Sequence, residues 1–194
     1  MTPRRSDTRE RMLNSAATLM RERGASGTSV DDILNHSGAP RGSIYHHFPG
    51  GRTQIIEEAV DLAGASIGTI IADSADATPV QMLDAFLAAW RANLAASDFR
   101  AGCPVLAVAI ESGQDTAQLT DAAARAFASW REALAQLLRR NQISAAHARR
   151  LATLIVASVE GAVALCRVEH DLQPLDDVGR ELRALLRDAA PGPT

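Results

Sequence analysis

Apolar residues recur along most of this chain at the three- and four-residue spacing of amphipathic helices. Runs that alternate apolar and polar residues between turns, as in half-buried strands, do not occur. We therefore predict an all-α protein. Its first helix opens at residues 6–7 and ends at the glycines near residue 24, and the apolar stripe of this helix consists of Met12, Ala16, Leu19 and Met20.

Two short helices follow, separated by a tight turn. The first starts at Ser29, which has the spacing of a capping box with Asp32 in place of the usual Glu, and Gly38 predicts its end. The second covers residues 41–48 and is stopped by a Pro-Gly-Gly run. Such a pair, packed on a longer leading helix, matches the helix-turn-helix arrangement. Its expected buried face consists of Val30, Ile33, Leu34, Ile44 and Phe48.

From residue 52 onward the predicted helices become longer. The apolar spacing and the prolines at helix starts place them over about 52–73, 79–97, 103–112, 117–141, 145–169 and 174–188. Together with the first three, they make about nine helices. We expect an N-terminal helix-turn-helix domain over 1–51 and a C-terminal helical bundle over 52–194.

Charge is distributed unequally between these two parts. The net charge is −3 over the 194 residues, but residues 1–52 carry +3 and the remainder carries −6. A basic head on an acidic body favours phosphate as the partner of the head. The second short helix also leaves outside a guanidinium, a hydroxyl, a phenol and two imidazoles, which belong to Arg41, Ser43, Tyr45, His46 and His47.

Composition argues against secreted, disulfide-rich and membrane proteins. Cys103 and Cys166 are too few for a disulfide framework and favour a reducing compartment. The charged N-terminal residues lack the apolar run of a signal peptide, and we expect no stretch of the roughly 20 apolar residues that cross a membrane. We therefore expect a cytoplasmic protein without membrane contact.

Enzyme and metal signatures are weak. Adjacent His46 and His47 project about 100° apart on a helix, whereas zinc sites favour His at i and i+4. Cys103 precedes Pro104 among apolar residues, as a buried thiol does, and neither a glycine-rich phosphate loop nor a serine elbow occurs. We expect no catalytic residue, metal or cofactor, and a small helical enzyme stays the weaker alternative.

Five of the seven aromatic residues lie between residues 86 and 130. Two pairs among them share a helix face and suit either a plain core or a pocket for a small apolar ligand. The spacing leaves both interpretations open. The candidate ligand-binding residues are Met82, Phe86, Trp90, Phe99, Cys103, Leu106, Ile110, Phe127 and Trp130.

The last two predicted helices carry aliphatic stripes without aromatic residues. Such faces suit close helix–helix contact, either within one chain or across a two-fold dimer interface, and the sequence leaves both open. The candidate dimer residues are Leu151, Ile155, Val159, Ala162, Val178, Leu182 and Leu185.

The run Thr28–Phe48 resembles the DNA-binding signature of the TetR family of bacterial transcriptional regulators. The stretches 48–55 and 102–111 resemble the branch of that family typified by LmrA and YxaF. Two positions depart from the family pattern: Arg52 stands where lysine is usual, and Leu34-Asn35-His36 stands where Ala-rich residues are common.

The resemblance implies a homodimer that places one head on each half-site of a palindromic DNA operator. It also implies a small apolar or aromatic effector that releases the DNA, and it suggests a repressor of an efflux or detoxification gene in multidrug resistance. A DNA-binding dimer that responds to no ligand is the alternative, and an activator role is equally compatible with these residues.

Residue roles follow from chemistry and from position in the resembling motif. Arg41 suits bidentate contact with guanine, and Gly42 lets the backbone approach the DNA. Ser43 suits a base or a phosphate, and His46 suits either. We expect further phosphate contacts from Tyr45, His47 and Arg52, with Thr28 and Ser29 as weaker candidates because their hydroxyls also suit helix capping.

Overall fold

The computed structural model describes residues 5–74, 76–111 and 116–189, and within these ranges it contains nine α-helices and no strand. Their bounds agree with the predicted ones to within a few residues, so the all-α prediction is confirmed. The helices are α1 (Arg5–Arg23), α2 (Val30–Ser37), α3 (Ile44–His47), α4 (Gly51–Asp73), α5 (Pro79–Ala96), α6 (Pro104–Ile110), α7 (Thr116–Arg140), α8 (Ala145–Glu169) and α9 (Gln173–Ala189).

Local signals at the helix ends account for this agreement. The Ser29 hydroxyl accepts from the amide of Asp32 while the Asp32 carboxylate accepts from the amide of Ser29, which confirms the predicted capping box. Gly38 ends α2 in the left-handed conformation with φ 64°, which glycine adopts without steric cost. A 3₁₀ turn, Arg41–Ser43, leads directly into α3, so the predicted second short helix has two parts.

The chain forms two compact units. The first extends to Gly64 and also includes residues 103–126, and the second consists of residues 65–102 and 127–194. The first unit is therefore larger than the expected head of residues 1–51. The start of α4 belongs to it because the apolar face of that helix is fully buried through Ile55, Ile56, Ala59 and Val60.

The core of the first unit is built where α1 packs against α2 and α6. The guanidinium of Arg9 lies 4.9 Å from the centre of the Phe48 ring and pairs with Glu58 of α4. These contacts hold the end of α3 against α1 and α4. The fully buried large side chains of this core include Met12, Met20, Ile33, Ile44 and Phe48.

The second unit packs α8 against α9 and packs both against α5. Helices α5 and α9 approach so closely at Gly179 that a Cβ there would lie 2.7 Å from Leu87 Cδ1. Arg183 pairs with Asp84 at 2.7 Å across the same two helices. These contacts fix α9 beside α5.

Helix α8 is long and apolar enough to cross a membrane by length and composition, and among the described residues no other helix meets that criterion. The expectation that no such stretch exists is therefore wrong. Half of its apolar window is buried inside the fold, as in the core helix of a globular unit. The buried side of α8 includes Ala148, Ala152, Val156, Val163 and Cys166.

Candidate functional site

The recognition segment, residues 41–48, presents its polar side chains away from the core. Ile44 and Phe48 anchor one side of it and are 1% and 0% exposed. Their burial leaves Arg41 and His46 exposed and Tyr45 68% exposed. Ser43 and His47 are half-buried and Gly42 is exposed. The segment is therefore built with one buried face and one face available to a partner.

Two ring contacts position side chains on the exposed face. Gly51 has φ 62°, and the Tyr45 ring lies against it, since a Cβ there would be 3.7 Å from Tyr45 Cε1. The rings of His46 and His47 meet edge to face with their centres 5.2 Å apart. The tyrosine ring is thus positioned by α4, while its exposure leaves the phenol within reach of a bound partner.

The hydroxyl of Ser43 donates to the carbonyl of Pro40 at 2.6 Å. Because its single proton is engaged, this hydroxyl offers its lone pairs to a ligand. It is therefore suited to accept from a base amino group, and contact with a phosphate oxygen would require the Pro40 bond to break.

Thr28 does not fit its predicted role as a phosphate contact. Its side chain is 0% exposed and its hydroxyl donates to the carbonyl of Gly24 at 2.8 Å. Ser29 is exposed, but its hydroxyl serves the capping box. The hydrogen bonds from Ser29 also lower the pKa of Asp32 and keep a negative charge beside it, which opposes phosphate binding at this helix end.

The guanidinium of Arg52 binds within the protein. Its Nε donates to the carbonyl of Thr28 at 2.9 Å, and its Nη2 donates to the carbonyl of Ala25. The side chain therefore ties the start of α4 to the turn between α1 and α2. The sequence suggested phosphate as its partner, and nothing in the local pattern indicated these carbonyls.

The candidate ligand-binding residues are divided between the two units. Cys103, Leu106 and Ile110 belong to the first unit, and the others belong to the second. Phe86 and Trp90 stack edge to face with ring centres 6.5 Å apart. Phe127 and Trp130 do the same at 5.2 Å. Buried members are Met82, Phe86, Trp90, Cys103 and Trp130, and half-buried members are Phe99, Leu106 and Phe127.

Ile110 departs from the expected pocket, because its side chain is 72% exposed. It lies in the last turn of α6, where the helix presents it outward. The Nε1 atom of Trp90 is buried and has no hydrogen-bond partner. A buried indole N–H is a donor that an acceptor-bearing ligand could engage.

The candidate dimer stripe on α8 lies in the core of its own chain, which is the intramolecular interpretation that the sequence left open. Leu151, Ile155, Val159 and Ala162 are at most 5% exposed, and Leu182 on α9 is 3% exposed. These aliphatic side chains fill the core between α8, α9 and α5. From the predicted set, Val178 is half-buried and Leu185 is 44% exposed.

Sequence reasoning missed the opposite side of α8. This outward stripe consists of Leu154, Ala157, Gly161, Leu165 and Val168, all of which are exposed. Their spacing of three and four residues places them on one face. Together with Leu185, part of this face borders a groove of about 430 Å³ between α8 and α9. The signal was present in the sequence as a second apolar period.

No group of three or more possible metal ligands occurs among the described residues. Both cysteines are buried, and neither forms a disulfide. Burial raises the pKa of the Cys166 thiol, which keeps it protonated and unsuited to nucleophilic attack.

A long helix supporting a capped short helix, a glycine-containing turn and a recognition segment with exposed polar side chains defines the helix-turn-helix class of DNA-binding proteins. Residues 12–59 match the model of bacterial regulatory proteins of the tetR family. Residues 79–181 match the LmrA/YxaF-like C-terminal domain of transcriptional regulators. The chain belongs to the TetR family and is a transcriptional regulator of its LmrA/YxaF-like branch.

Known proteins resemble it over nearly the full length. An uncharacterized HTH-type regulator of Mycobacterium tuberculosis (strain H37Rv) is 48% identical over 92% of this chain and 93% of its own length. LmrA of Bacillus subtilis is 31% identical, covering 93% and 97%. A TetR regulatory protein from Rhodobacter sphaeroides has a similar fold, with a TM-score of 0.81, 23% identity and coverage of 90% and 96%.

These comparisons establish the class of activity. TetR-family regulators are soluble DNA-binding proteins and are typically dimers. The family and these relatives are transcriptional regulators and not enzymes, so the protein is not an enzyme.

Proposed function

We propose that the protein is a cytoplasmic homodimeric repressor that leaves a palindromic operator when a small effector binds. The observation that carries this proposal is the recognition segment, in which Arg41 and Tyr45 are exposed while Ile44 and Phe48 are buried. An exposed guanidinium at the start of a recognition helix suits guanine O6 and N7 in the major groove. Tyr45, His46 and His47 supply donors for bases and neighbouring phosphates.

The proposed dimer uses the outward stripe of α8 together with Leu185 of α9. Exposed side chains of this stripe include Leu165 at 51% and Val168 at 81%. Ala157 and Gly161 lie in its middle, and small residues there permit close approach of a second helix. A second copy of the chain is the expected occupant because dimers are typical of the family.

A dimer explains how DNA binding becomes specific and switchable. Its two heads must lie about 34–36 Å apart to occupy successive major grooves. An effector that binds more tightly to a form with a different spacing lowers the affinity for DNA, at most by the ratio of its affinities for the two forms. A hundredfold preference corresponds to about 2.7 kcal/mol of coupling.

The proposed effector contacts the aromatic residues of the second unit. A buried N–H without an acceptor costs about 1–3 kcal/mol, and a ligand oxygen could supply that acceptor for Trp90. We therefore expect an aromatic or apolar effector that carries a carbonyl or ether oxygen, and we place the regulated gene in efflux or detoxification.

DNase footprinting of the purified protein on its own upstream DNA tests the proposal. The footprint is then repeated with a panel of aromatic compounds, some with a ring carbonyl and some without one. We expect protection of a near-palindrome that a subset of the panel abolishes. Failure to protect any such site would remove the regulatory role on this DNA. Protection that persists with every compound would favour the ligand-independent regulator.

A further inference from the structure

The turn between α1 and α2, residues 24–28, is held by a carboxylate from a distant part of the chain. Glu111 follows the last residue of α6 and is its C-cap. One carboxylate oxygen accepts from the amide of Ala25 at 2.8 Å. The other accepts from the amide and the hydroxyl of Ser26, each at 2.6 Å. Three donors of one turn therefore converge on one side chain.

Gly24 makes this approach possible. A Cβ at Gly24 would lie 2.3 Å from Glu111 Oε1, so any larger residue would displace the carboxylate. The same residue has φ 77°, which disfavours a side chain independently. The backbone of the turn and the position of Glu111 are thus adapted to each other.

Arg52 donates to backbone carbonyls of the same turn, whereas Glu111 accepts from its donors. Its guanidinium engages the carbonyls of Ala25 and Thr28, while Glu111 engages the amides of Ala25 and Ser26. The turn is consequently fixed between α4 on one side and α6 on the other. Since Ser29, the N-cap of α2, comes next in the chain, these contacts set where α2 begins.

We propose that Glu111 is a positioning residue for DNA binding. It holds the α1–α2 turn so that α2 and the recognition segment keep the orientation that fits the major groove. Through this carboxylate, α6 then contributes to the affinity for DNA. A head that leaves this orientation part of the time binds more weakly by the fraction of competent molecules.

The charge of Glu111 makes the proposal testable by the sign of the effect. Removing a negative charge from a DNA-binding unit raises affinity for phosphate when electrostatics alone acts. Loss of the turn contacts lowers it. Glu111→Gln keeps one oxygen for the Ala25 amide but turns an NH₂ donor toward the Ser26 amide, so it removes the charge and breaks part of the turn contacts together. The loss of charge should raise DNA affinity and the loss of turn contacts should lower it, so the sign of the measured change tells the two apart.

We expect Glu111→Gln to weaken binding to the footprinted duplex about tenfold, as expected for the loss of hydrogen bonds to a charged group. The slope of affinity against salt should stay unchanged because no phosphate contact is removed. Glu57→Gln is the matched control, since Glu57 is a carboxylate of the same unit that binds Arg125 at 3.1 Å and does not contact the turn. Unchanged or raised affinity for Glu111→Gln would overturn the proposal.

Amide hydrogen exchange supplies a readout that needs no DNA. Glu111→Gln should speed exchange at Ala25 and Ser26, and also at Phe48, whose amide donates to Ile44 at 2.7 Å in the recognition segment. Faster exchange confined to the turn would assign Glu111 a local structural role and reject the positioning role. Glu57→Gln should leave all three amides unchanged.

Ser26→Ala provides the milder variant if Glu111→Gln does not fold. It removes one of the three donors and keeps the carboxylate and both amide contacts. We expect a two- to fivefold loss of DNA affinity with a melting temperature lowered by no more than about 4 °C, and wild-type affinity would count against the proposal. Because footprinting tests the regulator and exchange at Phe48 tests the positioning, failure of one is distinguishable from failure of the other.

Discussion

The recognition segment and α8 are both amphipathic, yet only in the first did the apolar pattern identify the exposed face. The recognition segment has one apolar side, marked by Ile44 and Phe48, and its other residues are polar or small. Helix α8 has apolar residues on two sides, and the sequence does not state which side faces its own protomer. A single apolar stripe therefore determines orientation, whereas two stripes leave it to packing.

Burial separates the two stripes of α8, and both stripes contain large and small side chains. The inward stripe contains Ile155 and Val159, which are fully buried. The outward stripe contains Ala157 and Gly161 between leucines and a valine. The inward stripe fills the core beside α5 and α9, while Ala157 and Gly161 in the middle of the outward stripe leave room for a second helix to approach. The comparison predicts opposite consequences for substitutions on the two sides.

The largest expected effect is on assembly. Leu165→Glu places a carboxylate in the outward stripe, where a second copy would have to desolvate it. We expect the dissociation constant of the proposed dimer to rise at least about a hundredfold, equivalent to about 2.7 kcal/mol. Sedimentation velocity would show a folded monomer, and the near-palindrome would lose its cooperative protection.

Ala128→Glu is the control for this change, because Ala128 is exposed on α7 and lies outside the outward stripe. It adds the same charge and should leave the dimer intact. A dimeric Leu165→Glu protein would show that self-association uses another surface, and dissociation of both variants would point to net charge.

A second contrast compares stability on the two sides of α8. Ile155→Ala should lower the free energy of unfolding by about 2–5 kcal/mol because it empties part of a packed core. Leu154→Ala, on a side chain that is 42% exposed, should change it by less than about 0.5 kcal/mol in the monomer. Urea unfolding in the Leu165→Glu background measures both without the dimer equilibrium. Equal losses would mean that both stripes are core.

These contrasts show what the sequence could and could not predict. Helix bounds and the α2 cap followed from local signals, so Ser29, Gly38 and Pro79 marked real ends. The exposed recognition residues followed from a single apolar period. The true partners of Arg52 and Glu111 could not be predicted, because they lie 24 to 86 residues away along the chain and only folding brings them together.

Two arginines of the head should differ in the kind of DNA binding that they support. Arg41→Ala should cost about 1–3 kcal/mol on the operator and relax the preference at one base pair. Arg52→Ala should weaken binding to every sequence. Because Arg52 binds Ala25 and Thr28 inside the protein, we expect its slope of affinity against salt to match the wild type. Titrations on operator and scrambled duplexes at several salt concentrations measure both quantities.

A different result would contradict each of these two predictions. An Arg41→Ala protein that loses the same factor on all sequences would not contact a base through this residue. A slope reduced by about one for Arg52→Ala would mean a phosphate contact, as the sequence alone suggests. Arg11→Ala, at an exposed position of α1, serves as the control for removing one positive charge from the same unit.

The smallest expected effect concerns the pKa of Asp32 at the start of α2. The side-chain and backbone hydrogen bonds from Ser29, followed by the charge of Arg23, hold the pKa of Asp32 below its ordinary value of 3.8. The carboxylate thus stabilises the cap at all pH values above 3.8, and this contribution is lost as the pH falls through the lower folded pKa. NMR titration should give a midpoint below 3.8 for Asp32, moving toward 3.8 in Ser29→Ala. A wild-type midpoint at or above 3.8 would show that the cap does not stabilise the charge, and the electrostatic case against phosphate at this helix end would fall with it.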